Sequence, residues 1–223
     1  MQGLLDKLDN SDFVNFIRNH DFVILTETYI STDFESALFS DYNIYTSKAK
    51  KLSRRGRHSG GVIVMVKKTL NAFVERIWTD TENTVVLKIH KKLLNTNKDV
   101  LVICSYVPPS DSQFWESNAD GFGIELVESC ILDLQSTYKD AYLLLTGDFN
   151  ARTSYKNYNT NEDDNFDAIH LFCESMVPRN SQDMHDNTFG NQLLDLCNMF
   201  DCVILNGLCD QVFDRKYKYG FGA

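Results

Sequence analysis

The chain has 223 residues, of which 43% are hydrophobic and 24% charged, and its formal net charge is −9. That is enough polypeptide to bury a sizeable core as one domain over 1–223, with the composition of a soluble globular protein. The absence of a long apolar run excludes a bilayer-spanning helix, and the acidic balance argues against wholesale nonspecific attraction to nucleic acid. The first ten residues are amphipathic and carry Asp6 and Asp9. They lack the basic start and apolar core of a secretory signal, so an intracellular, reducing location is expected. Six cysteines (Cys104, Cys130, Cys173, Cys197, Cys202 and Cys209) show neither CxxC pairs nor histidines at zinc spacing, and read as small buried hydrophobes.

In chain order, Leu4, Leu5 and Leu8 and then Phe13, Phe16 and Ile17 recur at helical spacing, with Ser11 and Asp12 placed to cap a second short helix. Asp21 to Glu27 reads as a short apolar strand that ends on the acid Glu27. The stretch from Lys48 to His58 is cationic, with Lys48, Lys50, Lys51, Arg54, Arg55 and Arg57. It is either a solvated loop or a contact with phosphates beside an acidic site. Gly60-Gly61 forms a tight turn into a strand at Val62 to Val66. Phe73 to Trp78, Thr84 to His90 and Val100 to Tyr106 are three successive strands, predicted to pair as antiparallel hairpins. Tyr106 is the last large side chain before Val107-Pro108-Pro109 leaves the ladder, and is either core filler or a hydroxyl donor at a mouth.

Ile124, Val127, Ile131 and Leu134 predict a crossover helix over 123–138. It leads to Ala141 to Ala151, an apolar run that stops abruptly on Asp148 and Asn150. Leu143, Leu144 and Leu145 follow one another without alternation, which predicts a strand buried on both faces. Gly147 allows an unusual or close backbone path, after which Asp148 and Asn150 project together. An Asx-type turn at the strand end would produce the same pattern. Asn157 to Asp167 has the composition of a surface loop, Asn191 to Phe200 of a helix, and Cys202 to Leu205 of a further strand. None of the five histidines sits at a spacing that makes it a ligand or base.

Taken together, Val23-Ile24-Leu25-Thr26-Glu27-Thr28, Ser59-Gly60-Gly61-Val62, Ser105-Tyr106-Val107-Pro108, Gly147-Asp148-Phe149-Asn150-Ala151-Arg152, Arg179-Asn180-Ser181-Gln182-Asp183 and Leu205-Asn206-Gly207 resemble the endonuclease/exonuclease/phosphatase superfamily, and within it the endonuclease domain of non-LTR retrotransposons. The resemblance implies an α+β sandwich of two packed, mostly antiparallel sheets flanked by helices, with the site where strand-end loops converge. It implies nicking of DNA by phosphodiester hydrolysis with Mg2+ or Mn2+, no membrane partner, and nothing that points to a stable protein partner. Carried over by motif, Glu27 binds the metal, Asp148 orients or deprotonates water, Asn150 holds the scissile phosphate and Tyr106 donates a hydrogen bond to it. Arg152, Arg57 and Arg179 are the substrate contacts the pattern suggests.

The chain departs from the family pattern at both ends. Gly3-Leu4 survives, but the first strand with its active-site Asn would fall before Met1, and the chain stops at Ala223 before the Ser-x-Ile-Asp and Asp-His motifs. The expectation is therefore a domain lacking its first and C-terminal strands, with impaired cutting. The alternatives are a superfamily member acting on a phosphoinositide, a sphingolipid or an RNA tail, and a non-catalytic interaction domain on the same scaffold.

Overall fold

A computed structural model describes residues 3–116, 121–154 and 183–206, in two compact units, residues 1–150 and 151–223. In the first unit, two short helices, α1 (Leu4–Lys7) and α2 (Ser11–Arg18), precede strand β1 (Phe22–Leu25). The cap of α2 is Asn10, whose side chain accepts from the backbone N–H groups of Asp12 and Phe13. The cap therefore falls one position earlier than the sequence places it, and Ser11 is already the first helical residue. Then follow β2 (Tyr42–Ser47), the two-residue strands β3 (Lys50–Lys51) and β4 (His58–Ser59), and β5 (Val62–Lys67). Next come β6 (Val74–Ile77), β7 (Thr84–Ile89), α3 (Lys91–Leu94), β8 (Val100–Tyr106), α4 (Glu125–Thr137) and β9 (Tyr142–Asp148).

The strands make an α+β fold, with one sheet in the order β1-β5-β2 and another in the order β6-β7-β8-β9; β3 and β4 form a separate small hairpin. All pairs are antiparallel except β8 with β9. Strand β5 has Val62 to Val66 fully buried because its two faces serve two cores. Val62, Val64 and Val66 pack with Val85, Leu87, Val102 and Cys104 of the second sheet, which is the core between the sheets. Ile63 and Met65, on the opposite face, pack with Leu4, Val14, Ile17 and Phe39 beneath the helices. In the second sheet the alternation continues: Val86, Leu101 and Ile103 point away from the inter-sheet core and are fully buried. Helix α4 lies on this outer face, buries Val127, Cys130, Ile131 and Leu134, and brings the Tyr138 ring to 5.6 Å from Lys88 Nζ.

The expectation for the apolar run 143–145 is corrected. Strand β9 is half-buried, and Leu144 is 40% exposed. Among the described residues β9 has one paired neighbour, β8, and stands at the edge of the sheet that those residues form. An unbroken apolar run therefore overstates its cover.

In the second unit, helix α5 (Thr188–Met199) is capped by Asn187, whose side chain accepts from Gly190 N at 2.7 Å, and it buries Phe189, Leu196 and Cys197. Cys202 to Leu205 is not a strand, because no described strand runs beside it to satisfy its backbone groups. The segments 157–167 and 215–223 lie outside the described residues. No helix among the described residues is long and apolar enough to cross a membrane.

Candidate functional site

The strand pairings bring several chain ends to one side of the first unit. Leu25 of β1 pairs with Ile63, and Ser47 of β2 with Val62, so β1 and β2 finish where β5 begins. In the other sheet Tyr106 and Asp148, the last residues of β8 and β9, are register partners. The chain leaves both strands there: Pro108 and Pro109 lack a ladder N–H, and Val107 N donates its last bond to Asp148 O at 2.8 Å.

Three hydrogen bonds set the geometry here. The Tyr106 hydroxyl donates to Glu27 Oε1 at 2.6 Å, linking residues from the two sheets. The Asn150 side-chain amide donates to Val107 O at 2.9 Å. Asn150 N also donates to Asp148 Oδ1 at 3.0 Å, so the turn suggested by the sequence is formed, and it orients the carboxylate. Glu27 Oε2 and Asp148 Oδ2 have no hydrogen-bond partner among the described residues. Beside Glu27, the hydroxyl of Thr28 is buried with no hydrogen-bond partner among the described residues. Glu27 (φ 51°) and Asn150 (φ 46°) both adopt the left-handed backbone region, a conformation that costs on the order of 1–3 kcal/mol and concentrates at functional sites.

The Tyr106 hydroxyl is pushed well above the ordinary phenol range, first by burial, then by its bond to Glu27 and the negative charges of Glu27 and Asp148. It therefore remains a donor throughout the neutral range. The unfolded chain ionises this tyrosine near the ordinary value of about 10, while the folded chain resists ionisation. Its contribution to stability is thus complete below pH ~10 and is lost as pH rises beyond that toward the folded value. Tyr106→Phe is expected to flatten the alkaline limb of the stability curve, which denaturant melts at stepped alkaline pH would read. An unchanged limb would contradict the burial of this hydroxyl.

Of the proposed substrate contacts, Arg57 lies within electrostatic reach of Tyr29, whose hydroxyl is raised by burial and Glu27 and lowered by Arg57. It belongs to the β3–β4 hairpin region, where Lys48 pairs with Asp33 and Lys50 with Glu82, while Lys51, Arg54, Arg55 and Arg57 are exposed with no ion pair among the described residues. Arg152, in the second unit, pairs with Asp183 at 3.4 Å. Arg179 lies outside the described residues. Tyr29 was not apparent from the sequence, since its signal is only an aromatic two positions after a strand-ending acid.

The donors are hard oxygens, and no cluster of three His, Cys, Asp or Glu side chains occurs among the described residues. Hard oxygen donors of this kind are chemically compatible with Mg2+, which takes one or two carboxylates together with waters and substrate phosphates.

The molecule is thus an α+β protein of two facing sheets whose strand ends present an acid, a phenol, a second acid and an amide. Residues 1–194 match the Endonuclease/Exonuclease/phosphatase family, and the chain belongs to it. Among solved structures it is similar to the endonuclease domain of TRAS1, a telomere-specific non-LTR retrotransposon, at 14% identity over 85% of this chain and 62% of that one, TM-score 0.44. It is likewise similar to an AP endonuclease from Archaeoglobus fulgidus, at 16% identity over 71% and 58%, TM-score 0.44. A third is the human Nocturnin catalytic domain, at 14% identity over 66% and 60%, TM-score 0.39. The chain spans about three fifths of the length of these structures. No curated protein matches it by sequence.

Proposed function

We propose that this chain is a divalent-metal-dependent phosphodiesterase of the DNA-endonuclease type, on the retroelement branch of its family. The observation that supports it most directly is the joining of Glu27 and Tyr106 across the two sheets, with Asp148 and Asn150 fixed one strand away. A phosphodiester repels nucleophiles through its anionic oxygens, so hydrolysis needs positive charge on the phosphate and an oriented water. Glu27 would hold Mg2+ or Mn2+, which supplies that charge when bound. Asp148 accepts a proton from, or orients, the water that adds to phosphorus as one ester P–O bond breaks and the departing oxygen takes a proton from solvent. Asn150, held by Val107, offers its amide region to the phosphate. Tyr106 holds Glu27 through its single O–H, and the donation to the phosphate that the family pattern suggests would require that bond to be exchanged.

Nicking of supercoiled plasmid in Mg2+, set against EDTA, tests this. Loss of nicking in EDTA and in Asp148→Asn supports the reading, whereas nicking that persists in both overturns it. A parallel panel of phosphoinositide, sphingomyelin and oligoadenylate distinguishes other phosphoesters.

The exposed cations of the β3–β4 region are the proposed path for the nucleic-acid backbone. Arg55→Glu with Arg57→Glu is expected to weaken binding to a short duplex about tenfold or more, and to lower the slope of log K against log salt by about two. Fluorescence anisotropy over a salt series measures both. An unchanged slope would remove this hairpin from the interface.

A further inference from the structure

We propose that Asn83 is the positioning residue that sets Glu27 against Tyr106, by tying the two sheets together at the mouth. The residue immediately precedes β7, 4% exposed, in the left-handed region at φ 51°. Asn is among the few non-glycine residues that tolerate that conformation. Its backbone carbonyl accepts from Tyr106 N at 2.9 Å. Its side-chain Oδ1 accepts from Gly61 N at 2.9 Å, a buried bond between segments of the two sheets. Gly61 O in turn accepts from Thr28 N at 3.2 Å, and Gly60 O from Tyr29 N at 3.0 Å, so the residues that follow Glu27 hang from the Gly60-Gly61 turn. One residue therefore holds Tyr106 by its main chain and the Glu27 loop by its side chain.

The fit is close on the glycine side. A Cβ on Gly60, at φ +74°, would fall 2.2 Å from Asn83 Oδ1, and one on Gly61, at φ +90°, would fall 2.7 Å from Thr28 Oγ1. Both glycines are required by this approach. Around the joint, Glu82 pairs with Lys50 of the cationic hairpin, and Thr84 Oγ1 meets Ser105 Oγ at 2.9 Å. Losing the Asn83 side chain leaves Gly61 N without its partner and frees the loop that carries Glu27. The Tyr106 hydroxyl then loses the acceptor that holds it in the joint.

The consequence for metal affinity rests on the phosphodiesterase reading, but the positioning itself can be read in metal-free protein. The full chain would be treated at one fixed pH with tetranitromethane, which modifies accessible tyrosines, and each tyrosine followed by mass spectrometry. Asn83→Ala and Asn83→Gly are expected to accelerate nitration of Tyr106 about tenfold, the effect of losing one buried hydrogen bond. Asn83→Asp keeps Oδ1 and tolerates the same backbone, so it should return the rate to within about threefold of the unmodified chain. Tyr42 is the internal control for loosening of the whole fold, because it is buried in the other core with its hydroxyl bonded to Ile17 O and His20 O.

An unchanged Tyr106 rate in both Asn83→Ala and Asn83→Gly would overturn the proposal, as would acceleration of Tyr42 in step with Tyr106. A second readout, Tb3+ luminescence sensitised by nearby tyrosine, should show weaker Tb3+ binding in Asn83→Ala and recovery in Asn83→Asp. Tb3+ binding that Glu27→Gln does not alter would count against the metal-site reading, and the nitration rates would still decide the role of Asn83.

Discussion

Gly147→Ala is expected to destabilise the chain by about 3 kcal/mol or more, a fall of roughly 6–12 °C in melting temperature for a protein of this size. Two independent causes act together. Gly147 has φ +128°, where a side chain strains the backbone, and an added Cβ would lie 1.9 Å from the carbonyl oxygen of Ser105 and 2.9 Å from its carbon. Neither of those atoms is a flexible side-chain end that can swing away. Ser105 and Gly147 are register partners in the parallel β8–β9 pair, one step before Tyr106 and Asp148. Relief of the clash must therefore part the two strands just where they deliver the site. Gly56→Ala is the matched control, since the nearest atom there is the hydroxyl of exposed Ser53 at 2.4 Å, and it should change stability by less than about 0.5 kcal/mol. Thermal and urea melts of the two variants give the comparison. If Gly147→Ala melts with the parent chain, β9 does not approach β8 as described.

The different legibility of neighbouring parts of the sequence has physical causes. The run Val62 to Val66 reads directly as a strand because both of its faces meet apolar layers, and composition records burial. Tyr42 to Ser47 carries a weak strand signal, because Asn43, Thr46 and Ser47 dilute the pattern and its pairing with β5 supplies what propensity does not. Leu143 to Leu145 looked equally buried on both sides, yet the number of neighbours around a strand is a tertiary property that an apolar run does not encode.

Glu27, Tyr106 and Asp148 were each visible as polar residues ending apolar strands. The bond between Glu27 and Tyr106 spans 79 positions, so no local pattern contains it. Asn83 had still less signal: a single Asn before a strand reads as an ordinary turn residue, and only the meeting of two sheets gives it partners on both sides. Arg152 illustrates the reverse case, since its place after the Asp148 turn suggested a phosphate contact and the folded chain pairs it with Asp183.

Glu27→Gln and Asp148→Asn are expected to have the largest effects on the proposed reaction, and each is chosen to remove charge while leaving the local hydrogen bond in place. A glutamine at 27 still offers an oxygen to the Tyr106 hydroxyl, and an asparagine at 148 still offers one to Asn150 N. Folding should survive both changes, so that lost activity reports chemistry. Asp148→Asn can no longer take a proton from water, and the rate of plasmid nicking at saturating Mg2+ should fall by about 100- to 10,000-fold. Glu27→Gln loses a charged, hard ligand, so its defect should appear first as a higher Mg2+ requirement, more than about tenfold, with part of the rate restored at high Mg2+. The contrast separates the two roles: a rate defect insensitive to metal at position 148 and a metal-dependent one at position 27. Were both variants to lose activity in the same metal-dependent way, Asp148 would belong with Glu27 as a ligand rather than with the attacking water. Were neither to lose any, the acids gathered at the strand ends would serve the turn and the sheet joint alone, and the scaffold would be one that binds without cutting.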